Sequence, residues 1–186
     1  MNIPNFLTTL RLCLAVVIFA LLQQPLTVGL ILITVFLFTI SAFTDLFDGY
    51  LARRLQLITA YGKIADPIAD KALILSVLFA FSRMGFFSLW WVWPIFIREV
   101  LVTGVRLVYL HRGMALAAEY IGKLKTVIQI VTISVCFITA LCRLSAVSSV
   151  ILSTLNILMY IMLVAANLIT VYSGYLFFSQ LKIKQQ

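Results

Sequence analysis

Negative charge is scarce in this sequence. Six aspartates and glutamates face fourteen lysines and arginines across 186 residues, and charged residues of both signs make up only 11% of the chain. Hydrophobic residues reach 63% and the mean hydropathy is +1.13. Soluble domains sit nearer half apolar, so the composition excludes a soluble globular protein and describes an integral membrane protein of one domain, residues 1–186. Cysteine is also rare. Cys13, Cys136 and Cys142 are odd in number, lie in apolar runs and form no metal-ligand spacing, which leaves them as small buried hydrophobes. The single histidine, His111, falls in a loop and is assigned no chemistry. Internal repeats and low-complexity segments are absent. A cleavable leader is not expected either: Arg11 is the first basic residue, an apolar run follows it directly, and no small-residue cleavage site comes after. The basic residues are scattered singly, and the net charge of +8 therefore speaks for anionic lipid or substrate rather than nucleic acid.

What the sequence does have is long apolar runs. Six segments, at about 7–22, 28–50, 64–82, 88–110, 122–142 and 149–178, approach or exceed the ~20 residues of a bilayer crossing. The expected fold is all-α and polytopic, six transmembrane helices around a polar cavity that faces the cytoplasm. Breaks fall at Gln23-Gln24-Pro25, at Arg83-Met84-Gly85, around His111-Arg112-Gly113 and near Arg143. With six crossings, both termini share a side with the second and fourth connections. Arg11, Arg53, Arg54, Lys63, Lys71, Arg98, Arg106, Arg112, Lys123, Lys125, Lys182 and Lys184 belong to that side or to helix ends near it, against Arg83 and Arg143 on the other. A bias of twelve to two places both termini in the cytoplasm. Trp90, Trp91 and Trp93 then belong to the external interface.

The scarce acids are not spread evenly. Asp45, Asp48, Asp66 and Asp70, all the aspartates of the chain, lie within DLFDGYLARRLQLITAYGKIADPIAD. Crowded carboxylates repel one another, more so where water is sparse, and hard divalent cations resolve the conflict. At ~100° per residue, Asp45, Asp48, Gly49 and Ala52 share one arc of a helix, and Asp66 and Asp70 stand one turn apart with Gly62 on the same face. Two such helices facing each other present two carboxylates each to a shared centre, as a paired-metal phosphoryl-transfer site needs. Gly49, Ala52 and Gly62 remove bulk so that a ligand can approach the backbone. Pro67 falls between the second pair of aspartates. Either the regular helix starts at Asp66, or the helix is kinked at Pro67 with freed carbonyls lining the site.

The pattern D-x-x-D-G-x-x-A-R, eight residues, then G-x-x-x-D-x-x-x-D resembles the signature of the CDP-alcohol phosphatidyltransferases. Asp45, Asp48, Gly49, Ala52, Arg53, Gly62, Asp66 and Asp70 occupy all of its fixed positions. The resemblance implies transfer of a phosphatidyl or similar group from a CDP-linked donor to an alcohol, with release of CMP. It implies that Asp45, Asp48, Asp66 and Asp70 hold two Mg²⁺ or Mn²⁺ ions and that Asp70 also takes the proton of the attacking hydroxyl. Gly49, Ala52 and Arg53 would line the CDP pocket, with Arg53 on a pyrophosphate oxygen, and Gly62 and Thr59 would belong to the same CDP-lipid site. It also implies a homodimer.

The resemblance extends over most of the chain and points to members that make phosphatidylglycerol phosphate. The opening NIPNFLTTLR carries N-x-x-T-x-x-R as Asn5, Thr8 and Arg11, a pattern that in those members helps form the nucleotide-lipid site. Helix capping by Asn5 and a topogenic Arg11 are the structural alternative. IREVLVTGVR and YIGKLKT are also similar. Their Arg98, Arg106, Lys123 and Lys125 would form a cationic pocket for the acceptor's phosphate, although Arg98 could instead pair near Glu99 or with a motif aspartate. The expected substrates are CDP-diacylglycerol and sn-glycerol 3-phosphate, in a multi-pass protein of the cell (inner) membrane with its site on the cytoplasmic side. A sister transferase acting on inositol phosphate or a lipid, a cation transporter and an inactive structural partner are the alternatives.

Overall fold

The computed structural model describes the backbone of residues 3–54, 60–111 and 120–183, and the side chains within these ranges except at 3–4, 45–54, 60–61, 63, 120 and 182–183. The described residues are helical with short turns and contain no strand. They form α1 (Ile3–Leu21), α2 (Val28–Arg54), α3 (Ala60–Arg83), α4 (Trp93–His111), α5 (Tyr120–Leu144) and α6 (Ser149–Ile183), with a 3₁₀ turn at Leu89–Trp91. The expected all-α architecture and its six apolar segments are present as six helices.

Two boundaries differ from the sequence reading. The fourth apolar segment is not continuous from 88, because Ser88 caps the 3₁₀ turn through Trp90 N–H and the regular helix starts only at Trp93. The third helix begins at Ala60 and runs through Pro67, so Asp66 is an interior residue and not the helix start. Proline has no N–H to give, which deprives the carbonyl of residue 63 of its helical partner within the first turns.

The turns have local causes. Thr27 starts α2, its hydroxyl accepting from Leu30 N–H at 3.2 Å. At the end of α3, Gly85 takes φ 76°, Gly85 N–H donates to Ser82 C=O and Phe86 N–H donates to Phe81 C=O. This is a Schellman stop, which needs the left-handed conformation glycine adopts without strain. Phe86 then packs edge-on against Phe81 at 5.1 Å between ring centroids, and Phe81 against Phe137 of α5 at the same distance. The polar head of Arg143 lies 4.0 Å over the Phe86 ring and donates to Asn156 Oδ1 at 3.0 Å, tying the ends of α3 and α5 to the start of α6.

α1 packs along α3 and α2, α5 along α6, and α4 on α6. The buried positions change character along each helix. On α1, Thr8 and Arg11 precede Ala15 and Ile18; on α5, Lys125 and Gln129 precede Ile133, Cys136 and Ala140. On α4 and α6 the order reverses: Ile95 precedes Glu99, while Met159, Leu163 and Ala166 precede Thr170 and Ser173. Alternating helix directions therefore collect the buried charged groups, Arg11, Glu99 and Lys125, at one end of the bundle.

The outer surface is apolar as well. Ile121–Leu144 and Ser149–Leu181 are long and apolar enough to cross a bilayer. On α6 the side chains of Ile157, Leu168, Val171 and Tyr175 are more than half exposed. A long helix that turns this much apolar surface outward is not the core helix of a soluble domain. These two helices suit a membrane protein.

Candidate active site

At the polar end, α1 meets α3. Thr8 and Arg11 are three residues apart and share a helix face, and each is only 1% exposed. Opposite them on α3, Asp66 and Asp70 stand one turn apart. Thr8 Oγ1 donates to Asp66 Oδ1, and Arg11 Nη1 donates to Asp70 Oδ1 at 2.5 Å. The approach is possible because α3 presents Gly62, Ala65 and Ala69, all buried, beside the aspartates. A larger stripe there would hold α1 too far away for a threonine hydroxyl to reach.

Arg11 is wholly enclosed while the Asp70 side chain is 35% exposed. The carboxylate is thus held from the protein side and open on another. Burying an arginine in such surroundings requires a partner, and removing one partner of a buried pair typically costs about 3–5 kcal/mol.

Asp66 and Asp70 are partly exposed carboxylates, the donor chemistry that a hard divalent cation selects. No group of three His, Cys, Asp or Glu side chains gathers among the described residues. The other expected ligands, Asp45 and Asp48, lie with Gly49, Ala52 and Arg53 at the end of α2, outside the residues whose side chains are described. Thr59 lies outside the described residues altogether.

A second polar cluster joins α4 and α5. Glu99, 3% exposed, lies on the buried face of α4 between Ile95 and Val102. Its Oε1 accepts from Lys125 Nζ of α5, itself 3% exposed, and its Oε2 accepts from Arg98 Nη1 at 3.4 Å. Lys71, the residue after Asp70, is near enough to act electrostatically on both Glu99 and Lys125. The Arg98 stem crosses α6 at Gly174, where a Cβ would sit 3.2 Å from Arg98 Cγ. Arg106 stacks over the Phe177 ring at 5.5 Å, and its buried Nε has no hydrogen-bond partner among the described residues.

Of the four cations expected to bind an acceptor phosphate, the structure gathers Arg98 and Lys125 on one carboxylate. Arg106 is supported separately, against Phe177 of α6. Lys123 is exposed, two residues and about 200° around the helix from Lys125, so it is not part of the buried cluster. Sequence reasoning named Glu99 only as a neighbourhood in which Arg98 could pair, which the structure shows, and counted Lys71 only toward topology. The signal for Glu99 was present, since an acid inside an apolar segment demands a cationic partner.

The sequence pattern of the CDP-alcohol phosphatidyltransferases matches residues 1–172. The chain is similar to the CDP-diacylglycerol–glycerol-3-phosphate 3-phosphatidyltransferase of Bacillus subtilis (strain 168), with 36% identity over 144 residues, covering 72% of this chain and 75% of that protein. The protein of the same name from Rickettsia typhi (strain ATCC VR-144 / Wilmington) is 32% identical over 181 residues, 97% of each chain. That of Mycoplasma genitalium (strain ATCC 33530 / DSM 19775 / NCTC 10195 / G37) is 34% identical over 148 residues, 71% of this chain and 63% of the longer relative.

Proposed function

Because the chain belongs to the CDP-alcohol phosphatidyltransferase family, we propose that it transfers a phosphatidyl group from CDP-diacylglycerol to sn-glycerol 3-phosphate. The products are phosphatidylglycerol phosphate and CMP, a step of phospholipid synthesis. The observation that carries this reading is the pairing of Thr8 with Asp66 and of Arg11 with Asp70. It joins the opening N-x-x-T-x-x-R to the second half of the aspartate signature, two stretches that sequence resemblance had pointed to separately.

In this reading the acceptor's hydroxyl oxygen attacks the phosphatidyl phosphorus in line, a P–O bond forms, and the bond to the CMP oxygen breaks. Asp70 takes the hydroxyl proton. Arg11, enclosed behind it, fixes the orientation of that carboxylate. Asp45, Asp48, Asp66 and Asp70 would hold two divalent ions, Mg²⁺ or Mn²⁺, which when bound neutralise charge at the phosphoryl centre and the leaving group. Gly49, Ala52, Arg53, Thr59 and Gly62 line the CDP-lipid side. Arg98, Lys125 and Arg106 face the acceptor phosphate.

The chain is one integral-membrane domain with six crossings, both termini and the polar end cytoplasmic, in the cell (inner) membrane, and it functions as a homodimer. The concentration of buried charged groups at one end supports this arrangement, since a water-soluble acceptor enters from water and the lipid donor from the side.

The test is CMP release by purified protein with CDP-diacylglycerol, Mg²⁺ and a panel of glycerol 3-phosphate, glycerol, inositol, inositol phosphate and serine. Release with glycerol 3-phosphate alone is expected. Release only with another acceptor would keep the transfer chemistry and overturn the acceptor assignment.

A further inference from the structure

Glu99 is a buried acid outside the aspartate signature, placed so that each of its two oxygens takes a different cation: Lys125 on Oε1 and Arg98 on Oε2. Ion groups of this kind are a poor way to stabilise a fold. Desolvating the charges offsets most of their attraction, and well-packed apolar side chains often do as well or better. The trio stands between three helices that carry the reaction's other polar groups. Arg98 and Glu99 come from α4, Lys125 from α5, and Lys71, which acts on both Glu99 and Lys125, directly follows Asp70 on α3.

We propose that Glu99 is a positioning residue for the acceptor, bridging Lys125 and Arg98 at a fixed separation so that they receive a phosphomonoester beside Asp70. This rests on the reading above that Arg98 and Lys125 bind the acceptor's phosphate.

Two buried cations with no anion between them repel strongly where the dielectric is low. The bridging carboxylate removes that repulsion before the substrate arrives. It engages one of the three ammonium hydrogens of Lys125, and the geometry of the remaining donors is then set by the protein rather than by the ligand. Gly174 gives the same result from the other side, because the absence of a Cβ lets the Arg98 stem lie against α6. The charges also select. Arg98 and Lys125 against Glu99 leave a net charge of +1, and Lys71 adds to the positive field around them. That complements the −1.5 to −2 of a phosphate monoester near neutral pH and gives a neutral alcohol no advantage.

The experiment measures steady-state CMP release by the full-length protein with Mg²⁺, varying sn-glycerol 3-phosphate and CDP-diacylglycerol separately. Wild-type turnover with glycerol 3-phosphate is established first, and its absence would overturn the acceptor reading itself. Glu99→Gln is expected to raise the KM for glycerol 3-phosphate about tenfold or more while leaving the donor KM within about twofold. Glu99→Asp, which keeps the charge and draws it back by one methylene, is expected to fall between Gln and wild type. In a Lys125→Met background, Glu99→Gln is expected to add little, since the carboxylate acts through the lysine. Should Glu99→Gln fail to fold, Glu99→Asp carries the test through a rise of about threefold in the acceptor KM alone. If wild type uses glycerol 3-phosphate but the Glu99 variants keep the wild-type acceptor KM, or raise both KM values together, the positioning role is overturned and the acceptor reading stands.

Discussion

The guanidinium of Arg11 and the carboxylate of Asp70 lie 2.5 Å apart across the contact between α1 and α3, the first almost fully enclosed and the second one-third exposed. The arginine is held by α3 on one side, while the aspartate can serve the protein and a ligand at once. Arg11→Ala empties an enclosed site and leaves a carboxylate that water can still reach in part, so it is expected to destabilise the protein by about 1–3 kcal/mol. Thermal unfolding in detergent should show a lowered midpoint, with Arg11→Lys intermediate. An unchanged midpoint for Arg11→Ala would contradict the structural weight given to this pair.

Asp70→Asn keeps the shape of the side chain and removes its ability to take a proton. Turnover should fall by roughly 10²–10⁴-fold, the usual range for a general base, while CDP-diacylglycerol still protects the variant against thermal unfolding. Near-normal turnover would rule out Asp70 as the base.

Chelation is expected to abolish CMP release, and Mg²⁺ or Mn²⁺ to restore it, because four carboxylates in one segment need cations to be held together. Turnover that persists in excess chelator would contradict the metal assignment.

The length and order of the helices, their apolar character and the pairing of the aspartates into turns were legible in the sequence, because each depends on local periodicity. Pro67 was not: its position fitted either a helix start or an interior site, and only the observed start of α3 at Ala60 distinguishes them. The break at Leu89–Trp91 was hidden for a similar reason, since tryptophans continue an apolar run whether or not the backbone is regular. At the site, the sequence supplied Thr8, Arg11, Asp66 and Asp70 as separate candidates. That 8 meets 66 and 11 meets 70 depends on the register of two helices almost sixty residues apart. Glu99 as the bridge between Arg98 and Lys125 is likewise a tertiary fact, set by how α4 and α5 both pack on α6 and α3.

Gly174 tests that tertiary fact from α6. Gly174→Ala places a methyl group 3.2 Å from Arg98 Cγ, so the arginine must shift by a few tenths of an ångström. The KM for glycerol 3-phosphate should rise severalfold with the donor KM unchanged. Equal changes in both would argue that Arg98 does not serve the acceptor.

Ala146 holds φ 49° after α5, a left-handed conformation that strains any side chain with a Cβ. Ala146→Gly is therefore expected to stabilise the protein by about 1 kcal/mol. A modest rise in the thermal midpoint with unchanged turnover would support this, and a fall would contradict it.

The most direct measurement is the mass of the lipid formed when the purified protein is given CDP-diacylglycerol, Mg²⁺ and sn-glycerol 3-phosphate. The account predicts phosphatidylglycerol phosphate in one-to-one proportion with CMP. Phosphatidic acid in its place would mean that water, not the acceptor, attacks the phosphatidyl phosphorus, and would contradict the assignment of a glycerol 3-phosphate transferase.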